Sequence, residues 1–94
     1  MYYLLLYEVV ENYAEKRKPL RDAHLESARR AFDRGELVLG GAFVDPVDGA
    51  ALVFKGEDPS VAERFAKSDP YVVNGLVRDW RVRAWNVVIG GERP

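Results

Sequence analysis

Apolar and polar positions follow two different rhythms along this chain, and the points where the rhythm changes mark its elements. Residues 2–10 (YYLLLYEVV) are almost continuously apolar and rich in aromatic and β-branched side chains, which suits a central strand covered on at least one face. Glu11 and Asn12 break the run, and Asn12 stands where a helix N-cap belongs. Residues 13–34 then become helical in composition. Pro19 has no N–H and clashes with the preceding turn, so this stretch divides. The pattern predicts a short helical turn over 13–18 and a main helix over 19–34, with Pro19 in its first turn and Arg34 and Gly35 at its stop.

Residues 36–44 (ELVLGGAFV) predict a second strand, residues 45–49 (DPVDG) a turn, and residues 50–54 (AALVF) a third strand that closes a hairpin. Asp58 is placed to cap a helix that begins at Pro59 and runs to about Lys67. Ser68, Asp69, Pro70 and Tyr71 restart the chain in a second short helix that ends near Asn74 and Gly75. Residues 79–89 form the last strand, with Trp80, Val82 and Ala84 opposite Arg81, Arg83 and Trp85. The order βαββαβ is the split βαβ, ferredoxin-like α+β arrangement: a four-stranded antiparallel sheet with helices on one face. A single domain over residues 1–90 is expected, with a frayed tail at 91–94. Tyr, Trp, Phe and Val fall on both parities of the strands. The sheet face away from the helices therefore needs a cover, and the sheet of a second copy in a two-fold dimer is the simplest one.

Composition narrows the partners. Fourteen basic and fifteen acidic side chains leave a net charge of -1, so no general attraction to nucleic acid or to anionic membrane is expected. Lys16, Arg17, Lys18 and Arg21 form a local basic cluster, read for Lys16 and Lys18 as a solvated helix face. The chain has no cysteine, which excludes disulfide and thiolate chemistry and is compatible with a reducing compartment. The first ten residues lack a basic leader and a small-residue cleavage site, and no apolar run approaches the ~18 residues needed to span a bilayer. A cytoplasmic protein is expected.

His24 is the single histidine. On a helix it shares a stripe with Leu20, Ser27, Ala28 and Ala31, small or apolar neighbours that mark the face turned to the sheet. An inward imidazole needs a hydrogen-bond partner. On position alone, a core histidine satisfied by a backbone carbonyl is the favoured reading. Asp69 precedes Pro70 at a helix start, and composition alone makes it an N-cap. Its chemical alternative is to orient His24 in proton transfer. Gly40 and Gly41 lack the further glycines and the helix of a phosphate or dinucleotide loop, and read as a strand bulge or a close backbone approach. Tyr2, Tyr3, Tyr7, Phe43, Phe54, Trp80 and Trp85 read as sheet core and dimer interface. One histidine without ligand spacing gives no transition-metal site, and no cofactor is expected.

With these residues in order, the chain resembles the YciI-like (YCII-related) family of the dimeric α+β barrel superfamily. The resemblance is carried by Glu15-Lys16-Arg17, by residues 21–25 (RDAHL), by Leu39-Gly40-Gly41, by Asp69-Pro70-Tyr71-Val72 with Gly75, and by the final strand. It implies a ferredoxin-like subunit, a dimer through the sheets, and a pocket between helices and sheet that takes a small-molecule ligand. It also implies that His24 and Asp69 form an active-site pair, which reverses the reading from position alone. Arg17 matches an arginine of the family pattern, and Arg21 lies one turn before His24. Either is suited to bind a carboxylate or a developing enolate oxygen. Gly41, followed by Ala42 and Phe43, stands where many relatives carry Gly-Pro at the pocket lip, and Tyr71 either lines the pocket or simply packs. The function implied is cofactor-independent acid–base chemistry: isomerisation, elimination or dehydrochlorination of an unidentified small substrate. The alternative is a non-catalytic metabolite-binding or accessory dimeric module. Cofactor-free oxygenation, by analogy with neighbouring families, is a third.

Overall fold

The computed structural model describes residues 1–91 of the 94. Four strands, β1 (Tyr2–Val9), β2 (Leu37–Ala42), β3 (Gly49–Lys55) and β4 (Val77–Trp85), form one antiparallel sheet in the order β2-β3-β1-β4. Between β1 and β2 run α1 (Tyr13–Lys16), a 3-10 turn (Lys18–Leu20) and α2 (Arg21–Asp33). Between β3 and β4 run α3 (Ser60–Ser68) and α4 (Pro70–Val73). This is the ferredoxin-like α+β arrangement expected from the sequence. All helices lie on one face, α2 against β2 and α3 across β1, β3 and β4. No helix among the described residues is long and apolar enough to cross a membrane.

The period of two decides which face of β1 is buried. Tyr3, Leu5, Tyr7 and Val9 point to the helices and are buried, while Tyr2, Leu4 and Leu6 are only partly covered and Glu8 is exposed. Leu5 and Phe54 are fully buried at the centre, with Phe65 of α3 packed on Phe54 at 5.3 Å between ring centroids. Each such side chain contributes about 1.5–3 kcal/mol by leaving water. On β4, Trp80 and Val82 pack toward this core while Arg81 and Arg83 face away, as the alternation predicts.

Several boundaries differ from the pattern, each for a local reason. The main helix starts at Arg21 rather than Pro19, because Lys18–Leu20 tighten into a 3-10 turn that holds the proline at its start. Asn12 occupies the N-cap position of α1 in a left-handed conformation, φ 61°, and its side chain caps nothing. Asp58 accepts from the Ser60 N–H at 2.8 Å although α3 begins one residue later than expected. The strand break in β2 lies between Leu37 and Leu39, not at the two glycines. Gly40 instead meets the close-approach reading, since a Cβ there would lie 3.1 Å from Leu52 Cγ. Strand β4 starts at Val77, two residues earlier than expected, and ends at Trp85, so residues 86–89 are outside the strand. Residues 92–94 of the expected tail lie outside the described residues.

Two helix stops redirect the chain. After α2, Gly35 has φ +80°, its N–H reaches the Phe32 carbonyl, and the Glu36 N–H reaches back to Ala31. After α4, Gly75 has φ +79°, with the Gly75 N–H on Val72 and the Leu76 N–H on Tyr71. Both are Schellman closures, in which the left-handed residue turns the backbone toward the sheet.

Candidate active site

Asp69 is the one buried charged or polar residue in the described chain, with no exposed surface. Its backbone is extended, φ -65° and ψ 124°, as the following Pro70 requires. From there its carboxylate accepts the Tyr71 N–H at 3.1 Å, so the N-cap expected from the Asp-Pro dipeptide is present. Capping uses only part of its capacity. The same oxygen, Oδ1, lies 2.8 Å from His24 Nδ1, and Oδ2 accepts the Tyr7 hydroxyl at 2.6 Å. Three elements that are far apart in sequence thus converge on one carboxylate: β1, α2 and the α3–α4 junction.

The donors decide the histidine tautomer. A carboxylate only accepts, so Nδ1 carries the proton and the lone pair of the neutral ring rests on Nε2. No hydrogen bond within the described residues engages Nε2. The ring is fixed on both sides. Tyr71 stacks on it at 4.0 Å between centroids and 9° between planes, and Phe65 meets its edge at 6.3 Å. Tyr13 in turn sets its edge against Tyr71 at 5.7 Å, and the Arg17 guanidinium lies over the Tyr13 ring at 5.3 Å.

A cavity of about 360 Å³ opens beside this constellation. His24, Arg17, Arg21, Gly41 and Tyr71 all line it, together with Tyr7 and Tyr13. Leu25, Val44 and Leu52 supply apolar wall. Asp69 does not line it and sits behind the imidazole. The break at Pro19 still leaves Arg17 and Arg21 facing one space. Among the described residues, no three His, Cys, Asp or Glu side chains gather where they could hold a metal ion.

Burial pushes the Tyr7 phenol far above the ordinary tyrosine range, and the Asp69 charge and the hydrogen bond to it push the same way. Burial also raises Tyr13, partly offset by Arg17 beside its hydroxyl, and raises Tyr71, with Tyr13 adding to it. All three phenols therefore remain donors across the neutral range.

The sequence reading missed Tyr7 and Tyr13 as site residues. Tyr7 belongs to the helix side of the sheet, not to the opposite face. Its odd parity with Leu5 was a usable signal, since a buried phenol needs a partner at its polar end.

Fold and site together define a class: a ferredoxin-like subunit with a carboxylate-oriented imidazole at the wall of a small cavity. The chain belongs to the YCII-related domain family, whose model matches residues 1–86. Among solved structures it is similar to 5-chloro-2-hydroxyhydroquinone dehydrochlorinase (TftG) from Burkholderia phenoliruptrix AC1100, in complex with 2,5-dihydroxybenzoquinone. The TM-score is 0.77 at 19% identity, over 92% of this chain and 94% of that one. It is also similar to protein Atu4242 from Agrobacterium tumefaciens, TM-score 0.54 at 19% identity over 88% and 89% of the two chains. An antibiotic biosynthesis monooxygenase gives TM-score 0.54 at 14% identity over 95% and 100%. No curated protein matches the chain in sequence.

Proposed function

We propose that this chain is a cofactor-independent acid–base enzyme acting on a small oxygen-bearing molecule in the His24 cavity, of the isomerase, lyase or dehydrochlorinase type. The observation that carries this reading is the 2.8 Å contact between Asp69 and His24 Nδ1, which leaves Nε2 as the basic nitrogen of a cavity-lining ring. In the proposed step a substrate C–H bond breaks and its proton passes to Nε2. The imidazolium so formed is stabilised by the carboxylate behind it. The electron pair moves onto a conjugated oxygen, where Arg17 or Arg21 offsets the developing charge. In an isomerisation the proton returns to a different atom. In a dehydrochlorination the pair completes a carbon–carbon double bond, chloride leaves, and Nε2 later releases its proton to water. The likeness to a dehydrochlorinase bound to a quinone supports a small cyclic substrate.

The test is turnover. Chloride release from chlorinated hydroxyhydroquinones, and solvent deuterium exchange into cyclic ketones followed by proton NMR, are measured for wild type and His24→Gln. Loss of ~10²–10⁴-fold in the variant is expected. Equal rates in both, or tight binding without any turnover by wild type, would overturn the reading, the latter in favour of a binding module.

We further propose that two copies pair through the open sheet face. Leu4 and Leu6 of β1, Val53 of β3, Leu39 of β2 and Trp85 of β4 share that face by register. Leu39 is 63% exposed and Trp85 46%, an apolar surface suited to a second sheet.

A further inference from the structure

Among the described residues, the Tyr71 hydroxyl is the one buried side-chain nitrogen or oxygen without a hydrogen-bond partner. Everything else about this residue is engaged. Its N–H caps onto Asp69, its ring stacks on His24, and Tyr13 presses against its edge. A phenylalanine would make each of these contacts equally well. It would also spare the protein the cost of stripping water from a hydroxyl and offering nothing in return.

The surroundings of that hydroxyl are not neutral. Tyr13, Arg17, Arg21 and Asp69 are the groups whose charges and dipoles reach it, and the first three line the cavity together with Tyr71. The two guanidinium groups have no carboxylate partner: neither forms an ion pair among the described residues. Arg17 is half-exposed and Arg21 exposed, so both can shift to admit an anion. Burial keeps the phenol protonated, and a protonated phenol can donate.

We propose that the Tyr71 hydroxyl is the missing half of an oxyanion subsite, completed by Arg17 and Arg21, that takes a negatively charged oxygen of the ligand. The chemical class is a small molecule carrying a phenolate, enolate or carboxylate oxygen. That oxygen supplies the partner that no neighbouring protein group gives the Tyr71 hydroxyl. Because Tyr71 and His24 are stacked, the oxygen held by one is delivered beside the ring of the other. This deepens the preceding reading and rests on the His24 cavity being the ligand site.

The experiment is calorimetric titration of wild type, Tyr71→Phe and Arg17→Gln with 2,5-dihydroxybenzoquinone, an anion at neutral pH, and with uncharged hydroquinone. Tyr71→Phe is expected to weaken the anion by about tenfold or more while leaving hydroquinone within about threefold, since charge-assisted bonds are the stronger kind. Arg17→Gln is expected to weaken the anion in the same selective way. Unliganded Tyr71→Phe should melt at or above the wild-type temperature, since the orphaned group is gone. Equal anion affinity in Tyr71→Phe and wild type, no binding of the anion by wild type, or a lowered melting temperature for Tyr71→Phe would each overturn the subsite. These affinities are read without turnover. An inactive protein that still shows the selective loss would sink the enzyme reading and keep the subsite.

Discussion

The Tyr7 hydroxyl and the Asp69 carboxylate meet at 2.6 Å across 62 residues of sequence, on the side of the carboxylate that His24 leaves free. A phenol from the central strand and an imidazole from the helix thus share one buried anion. In the proposed mechanism Tyr7 acts through Asp69 to position His24. Tyr7→Phe removes one charge-assisted bond and is expected to lower stability by about 1.5–3 kcal/mol, read by urea denaturation. His24 should stay bonded to Oδ1, so turnover should fall far less than in His24→Gln.

Asp69→Asn replaces an acceptor-only group with one that also donates. With its NH₂ toward the Tyr7 hydroxyl, the amide oxygen still accepts from the Tyr71 N–H and from His24 Nδ1, but a neutral oxygen holds that tautomer less strongly than a carboxylate does. Nitrogen-15 NMR of His24 should show the Nδ1–H form in wild type and a tautomer mixture in the variant. The buried network should lose about 2–3 kcal/mol. An unchanged spectrum would mean that the carboxylate does not set the ring.

Alkaline pH should act on the same network. Tyr7, Tyr13 and Tyr71 all titrate above their unfolded value of 10.0. A group raised in the folded state contributes its full stability below the unfolded value. Above pH 10 the unfolded chain begins to release protons that the folded chain keeps, so stability falls as pH rises. Denaturant midpoints measured from pH 8 to 11 should drop beyond about pH 10. The drop should be shallower in Tyr7→Phe. A flat profile would contradict the burial of these phenols.

Gly35→Ala and Gly75→Ala test the two helix stops. An added Cβ would meet nothing within 4 Å at either position, so the cost is the left-handed backbone alone. About 1–2 kcal/mol is expected for each, by thermal denaturation. Gly75→Ala should also disturb the site, because Gly75 closes the short helix that carries Tyr71.

Leu6→Lys probes the open sheet face. Leu6 pairs with Arg81 on β4, so the substitution sets like charges side by side where a second sheet would pack. Sedimentation should show a dimer for wild type and a monomer for the variant, with the circular dichroism of both alike. A monomeric wild type at micromolar concentration would rule out the pairing.

The sequence by itself determined the elements and much of the chemistry's inventory. Strand and helix periods are local, and so are the signals at Pro19, Gly35, Asp69-Pro70 and Gly75, because each acts through the backbone of its immediate neighbours. The stripe from Leu20 to Ala31 already turned His24 inward, the family resemblance already matched Arg17, and helix spacing already set Arg21 one turn before His24. What only the tertiary structure decided is where polar groups spend their hydrogen bonds. Asp69 read locally as a cap, and it is one, but its remaining lone pairs are claimed by Tyr7 and by His24, 45 residues away. Nothing in a local pattern reports such partners, since a carboxylate's capacity is filled by whatever folding brings within hydrogen-bonding reach. The orphaned Tyr71 hydroxyl was hidden for the same reason: a missing partner is visible only once every neighbour is in place.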